Sequence, residues 1–135
     1  MFQLSKRVEY GLIAMRHMAL YSNGHMVTTK EIAELYQIPY ELLAKVMQRL
    51  AKQKFITSYQ GVHGGYSMSR QPGDVRIGAL INAIEGKSSV SIIQCEAESP
   101  ENCSIHSTCT IKNPLVKLQG SINKMFEEMT ILEMV

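Results

Sequence analysis

Residues 28–69 read TTKEIAELYQIPYELLAKVMQRLAKQKFITSYQGVHGGYSMS, and a change of period inside them decides the fold. Thr28-Thr29-Lys30-Glu31 is a capping-box signature, in which the Thr28 hydroxyl and the Glu31 carboxylate each take the other's backbone N–H. It opens a short helix, IAELYQ, which Ile38-Pro39 breaks, with Pro39 at the first position of the next helix. That helix, YELLAKVMQRLAKQKF, is expected to bury Leu42, Leu43, Val46, Met47 and Leu50 and to expose Lys45, Gln48, Arg49 and Lys52. The spacing then turns strand-like. Phe55–Tyr59 is β-branched and aromatic, Tyr66–Ser69 alternates, and GVHGG between them reads as a hairpin tip. Two short helices joined by a tight turn and followed by a hairpin spell a winged helix-turn-helix.

On the N-terminal side, Leu4, Val8, Leu12, Met15 and Ala19 form one stripe of a helix over residues 4–22, ended by Ser22-Asn23-Gly24. On the C-terminal side, Ile77, Leu80, Ile81 and Ile84 predict a fourth helix closed by Gly86. A last long helix begins at Asn113-Pro114. Its Ile111, Leu115, Leu118, Ile122, Met125 and Met129 recur four and three residues apart, the seam of a coiled coil. Such a seam is expected to pack on a second copy and back on the first helix. Thr130-Ile131-Leu132-Glu133 is a second capping box, predicting a short terminal helix after a kink. The fold class expected is mainly α with a small β-hairpin wing. Residues 1–76 form a winged helix-turn-helix domain, and residues 77–135 a cysteine loop and a long dimerisation helix.

The chain has 135 residues, 45% apolar and 19% charged, ordinary values for a globular protein. Its net charge of +2 hides an asymmetry: residues 1–76 carry ten Lys/Arg against five Asp/Glu, and residues 77–135 four against seven. A basic front half fits a polyanion. No run of 18 apolar residues occurs, and the start, MFQLSKRVEYGL, lacks a signal-peptide core. Free cysteines without a secretory signal argue for a reducing cytoplasm, and no membrane partner is expected.

A helix-turn-helix puts the N-terminal residues of its second helix on base edges and its basic groups on phosphates. Tyr40, Glu41 and Ala44 would face the major groove, followed by Lys45, Gln48 and Arg49, of which Gln48 and Arg49 can make bidentate base contacts. Lys52 and Lys54 look like phosphate contacts. Lys6, Arg7 and Arg70 could add phosphate clamps. At the wing tip His63 sits beside Gly64 and Gly65, whose bare backbones allow close approach to a groove. The partner expected is double-stranded DNA carrying a palindromic operator, read by a homodimer.

Cys95, Cys103 and Cys109 lie within 15 residues, and the other 120 residues contain no cysteine. Clustering in a polar, turn-rich stretch points to thiolates held for metal or redox chemistry. Three is one short of a four-coordinate site and one over for a disulfide. Cysteine thiolate is the usual ligand for zinc and for iron–sulfur clusters. The spacing C-x7-C-x5-C is unlike the C-x2-C pairs of zinc fingers and wide enough to wrap three corners of a larger object. A fourth ligand could be His106, three residues before Cys109, or Glu9 of the first helix if a dimer brings it to the partner's cysteines. Alternatives are a structural zinc, a thiol-disulfide switch, or a winged module that binds protein instead of DNA. A Cys109–His106 nucleophile and base oriented by Glu101 finds no phosphate loop, carboxylate pair or substrate domain to serve, so no enzyme is expected.

The stretches LSKRVEYGLIAM, IPYELLAKVMQRLAKQKFITSYQGVHGGYSMSR, the three-cysteine loop and TILEMV together resemble the Rrf-type family of bacterial winged-helix regulators. The resemblance runs essentially the full length. It implies a homodimer built on the long helix, a [4Fe–4S] or [2Fe–2S] cluster on Cys95, Cys103 and Cys109, and DNA affinity that depends on cluster state. By position, Glu9 matches the acidic first-helix residue that ligates the partner's cluster in NsrR-like members. IscR-like members carry a ligating histidine three residues after the last cysteine, where this chain has Lys112. The resemblance therefore implies an NsrR-like repressor that senses nitric oxide, redox or iron status.

Overall fold

The computed structural model describes residues 3–21, 25–86, 108 and 110–135. The elements run α1 (Lys6–Tyr21), α2 (Thr29–Tyr36), α3 (Tyr40–Lys52), β1 (Ile56–Tyr59), β2 (Gly65–Met68), a 3-10 turn (Pro72–Asp74), α4 (Ile77–Glu85), α5 (Lys112–Glu128) and a terminal 3-10 helix (Ile131–Met134). The chain is mainly α, with one antiparallel hairpin pairing Ile56 with Met68 and Tyr59 with Gly65.

Helix α1 starts at Lys6 because the Ser5 hydroxyl accepts from the Val8 N–H at 3.3 Å, an N-cap contact. It buries Val8, Leu12 and Met15 of the expected stripe, and also Ala14 and Met18. The stop foreseen at Ser22-Asn23-Gly24 lies outside the described residues. Gly11 is where α1 meets α3 and α4. A Cβ there would run into the Ile84 side chain and stand 3.3 Å from Val46 Cγ1, so the absence of a side chain sets this approach.

Thr28 caps α2 by accepting from the Glu31 N–H at 3.1 Å. The Glu31 carboxylate does not complete the box, and its Oε2 stands 3.5 Å from His17 Nε2 on α1. Helices α2 and α3 end alike. Gln37 (φ 56°) and Lys54 (φ 65°) take the left-handed conformation. The Ile38 and Phe55 amides that follow donate to Ala33 and Leu50 carbonyls at 2.9 and 3.0 Å. Both residues are buried, the apolar contact that accompanies a Schellman closure. The first closure is the tight turn of the helix-turn-helix.

Leu43, Val46, Met47 and Leu50 of α3 are buried as expected, but Leu42 is 39% exposed. The four recur at i, i+3, i+4 and i+7, and Leu42 lies about 100° round the helix from Leu43, off their line. Pro39 caps α3 from outside instead of occupying its first turn, with φ −55° and ψ 122°. That extended ψ is what separates a cap from a first-turn residue.

Val27 adds a third, single-residue strand to the wing, exchanging hydrogen bonds of 2.9 and 2.8 Å with Tyr66. This bridge explains Gly65: at φ 152° a Cβ would come within 2.9 Å of the Val27 carbonyl oxygen.

Helix α4 buries Ile77, Leu80, Ile81 and Ile84, and Gly86 closes it at φ 73°. On α5 the expected seam stays at the surface, with Ile111, Leu118, Met125 and Met129 exposed and Leu115 and Ile122 half-buried. Within the chain α5 lies along α4, not α1, because its inward line is Gln119, Asn123 and Phe126, with Phe126 covering Gly78. The terminal 3-10 helix is what meets α1, through Arg16 donating to the Met134 carbonyl at 2.7 Å. The second capping box is complete, with Thr130 N–H donating to Glu133 at 2.7 Å. Ile131, fully buried, hydrogen-bonds Val75. One core therefore runs from Val8 to Ile131 and joins both halves of the chain. No described helix is long and apolar enough to cross a membrane.

Candidate nucleic-acid interface

The inward line of α3 is fixed by the core, so its other face is fixed too. Tyr40, Glu41, Lys45, Gln48, Arg49 and Lys52 are exposed and Ala44 is half-buried. Three cations and an amide thus stand on one outward face of a helix held rigidly from behind. Lys54 follows in the left-handed turn and is exposed.

The wing stands next to this face. Strand β1 packs against α3, and burial, with a lesser contribution from the Tyr40 phenol, raises the Tyr66 phenol above the usual 10.0. Arg70 is anchored at the wing base, its guanidinium 4.3 Å above the Phe55 ring and donating to the Gln53 carbonyl at 3.4 Å. The tip carries Val62, 98% exposed, then exposed His63, with Gly61 at φ 109° turning the chain. Val62 was not singled out from sequence, although an apolar residue inside GVHGG was a readable signal. Between α2 and the start of α3 an open groove is lined by Lys30, Ala33, Glu34, Ile38 and Tyr40.

Not every exposed cation on this side is free. The Arg49 guanidinium donates to the Ile84 carbonyl at the end of α4. Arg7 reaches Glu85 at 3.3 Å, and the Ser5 hydroxyl donates to the same carboxylate. Lys6 lies 2.9 Å from Glu9, whose hydrogen bond and charge raise the lysine above its usual 10.5.

Glu9 is the one proposed metal ligand among the described residues, and it is partly exposed on α1. Cys95, Cys103, Cys109 and His106 lie outside them. Among the described residues no group of three or more metal-binding side chains comes together. A feature that sequence reading missed is His17. It is 4% exposed, its Nδ1 is 2.8 Å from the Tyr36 hydroxyl, and Nε2 has no hydrogen-bond partner among the described residues. It pins α2 to α1 behind the interface.

Known proteins share this fold. The Rrf2 family, described as an iron-dependent transcriptional regulator, matches residues 4–135. The HTH-type transcriptional regulator NsrR of Oceanobacillus iheyensis is 30% identical over 132 residues, which is 98% of this chain and 88% of that protein. Among solved structures, CymR, the global cysteine regulator of B. subtilis, superposes with a TM-score of 0.76 at 20% identity, covering 99% of this chain and 96% of its own. IscR of T. potens superposes with a TM-score of 0.73 at 23% identity, covering 98% and 85%.

Proposed function

This chain belongs to the Rrf2 family of transcriptional regulators and is not an enzyme; from that premise we propose a cytoplasmic, homodimeric repressor whose operator affinity is switched by an iron–sulfur cluster. The observation that carries the DNA half is the outward face of α3, with Lys45, Gln48 and Lys52 exposed beside the wing. In this reading Tyr40, Glu41, Ala44 and Gln48 meet base edges. Lys45, Lys52, Lys54 and Arg70 meet phosphates, and His63 with Gly64 and Gly65 brings the wing tip to the neighbouring groove. Two such heads read the halves of a palindrome, held at a fixed spacing by α5, whose exposed apolar seam a second copy covers.

For the switch, Cys95, Cys103 and Cys109 supply three thiolates, the donor type that iron–sulfur clusters use. Glu9 is a carboxylate on a helix surface, open to the partner chain once it leaves Lys6. A bound cluster would supply a redox- and nitric-oxide-reactive centre. This chain's part is to hold it through those side chains and to pass its state to α1. The similarity to NsrR supports nitric oxide as the signal.

Anaerobically purified protein should carry iron and acid-labile sulfide in matching amounts, and nitric oxide titration should change its affinity for operator DNA. Zinc alone, or three free thiols without metal, would replace the cluster with a structural zinc or a thiol switch. Glu9→Ala should leave the fold intact and alter cluster retention. A variant that keeps its cluster and responds normally removes Glu9 from the ligand set. DNA affinity should also fall steeply with salt, because phosphate contacts release counterions. Absent or salt-insensitive binding would favour a protein-binding module.

A further inference from the structure

Arg49 lies on the same turn of α3 as Gln48 and carries the guanidinium best suited to a guanine edge. Its Nη1 is instead spent on the backbone carbonyl of Ile84. That carbonyl belongs to the last turn of α4, where acceptors lack partners within the helix and a cation is favourably placed. The same turn is held from a second side, since the Glu85 carboxylate takes Ser5 and Arg7 from the start of α1. Gly11 lets α1 approach Ile84 and Val46 closely. The final turn of α4 is therefore a junction that ties the start of α1 to the C-terminal part of α3.

We propose that Arg49 is a positioning residue, not a base reader: it locks the recognition helix onto the end of α4 and sets the angle at which α3 leaves the core. This rests on the DNA-binding reading above. A base reader enters the preference for one base pair, whereas a lock on helix angle enters all of them equally. The bond is a single N–H to one carbonyl, which a lysine ammonium can also make. A bidentate guanine contact is not reproduced by lysine in the same way.

The test is selection of sites from a random duplex library by wild type, Arg49→Gln, Arg49→Lys and Gln48→Ala, each full-length and checked for a wild-type-like circular dichroism spectrum. Arg49→Gln should select the wild-type motif with every position intact while binding it about tenfold more weakly. Arg49→Lys should recover most of that loss. Hydrogen exchange at residues 82–86 should speed up in DNA-free Arg49→Gln and stay slow in Gln48→Ala. Loss of preference at one base pair in Arg49→Gln, with unchanged exchange at the end of α4, overturns the proposal and leaves the DNA-binding reading standing. If wild type selects no motif at all, that reading fails first and takes this proposal with it.

Discussion

Helices α3 and α5 are both amphipathic, yet the chain treats them oppositely. The apolar line of α3, Leu43 to Leu50, is buried by α1, α2 and α4, leaving its polar face outward. On α5 the apolar line is the outward one. Met125 is 68% exposed and Leu118 51%, while the buried residue of that helix is Gln119. Amphipathicity alone therefore does not say what covers a helix. The apolar face of α3 is satisfied inside one chain and its polar face is left for a polyanion. Much of the apolar face of α5 is left uncovered by the described residues of the chain, and the proposed dimer is what would cover it.

That contrast can be broken by substitution. Leu50→Ala removes a fully buried side chain and should lower stability by about 2–5 kcal/mol in urea denaturation. Met125→Ala, at protein concentrations low enough to keep the chain monomeric, should stay within about 0.5 kcal/mol. A large loss from Met125→Ala under those conditions would mean that α5 packs against its own chain.

Smaller effects sharpen the account of α3 and its supports. Thr28→Ala removes the hydroxyl that caps α2 and should cost about 1 kcal/mol by the same measurement. Gln37→Gly and Lys54→Gly relieve left-handed residues at the two helix ends and should each gain about 0.5–1 kcal/mol. Tyr66, bridged to Val27 in the wing, gives a pH signature. Its phenol is raised above 10.0, chiefly by burial. The folded state thus holds that proton more tightly than the unfolded state. The stabilisation is complete below pH 10.0 and is lost as pH climbs through the raised value. Above that pH, wild type should lose stability faster than Tyr66→Phe in a pH series of thermal melts.

Local rules carried most of this fold into the sequence. The Gly86 stop, the hairpin around GVHGG and the Thr130–Glu133 box rest on contacts within a few residues, and the Leu43–Leu50 line shows in its helical spacing; each forms. What was not legible depends on distant partners. Leu42 reads as core by type, but it lies off the buried line and is 39% exposed. Glu31 reads as a capping-box carboxylate, yet its Oε2 stands 3.5 Å from His17 Nε2 on α1 instead of closing the box. The Val27 strand is one residue long and has no periodicity to detect. At the candidate site, sequence identified the exposed basic face of α3. It could not foresee that Arg49 would find a carbonyl 35 positions further along. The seam of α5 was read correctly as apolar, while its relation to α1 depended on the inward line through Phe126.

The most direct test of the contrast is sedimentation equilibrium of wild type beside Leu118→Glu. The account predicts wild type at twice the 15.2 kDa chain mass and the variant at 15.2 kDa, with equal helical circular dichroism. A wild type that sediments as a single chain across the micromolar range would contradict it, because the seam of α5 would then have no second copy to cover it.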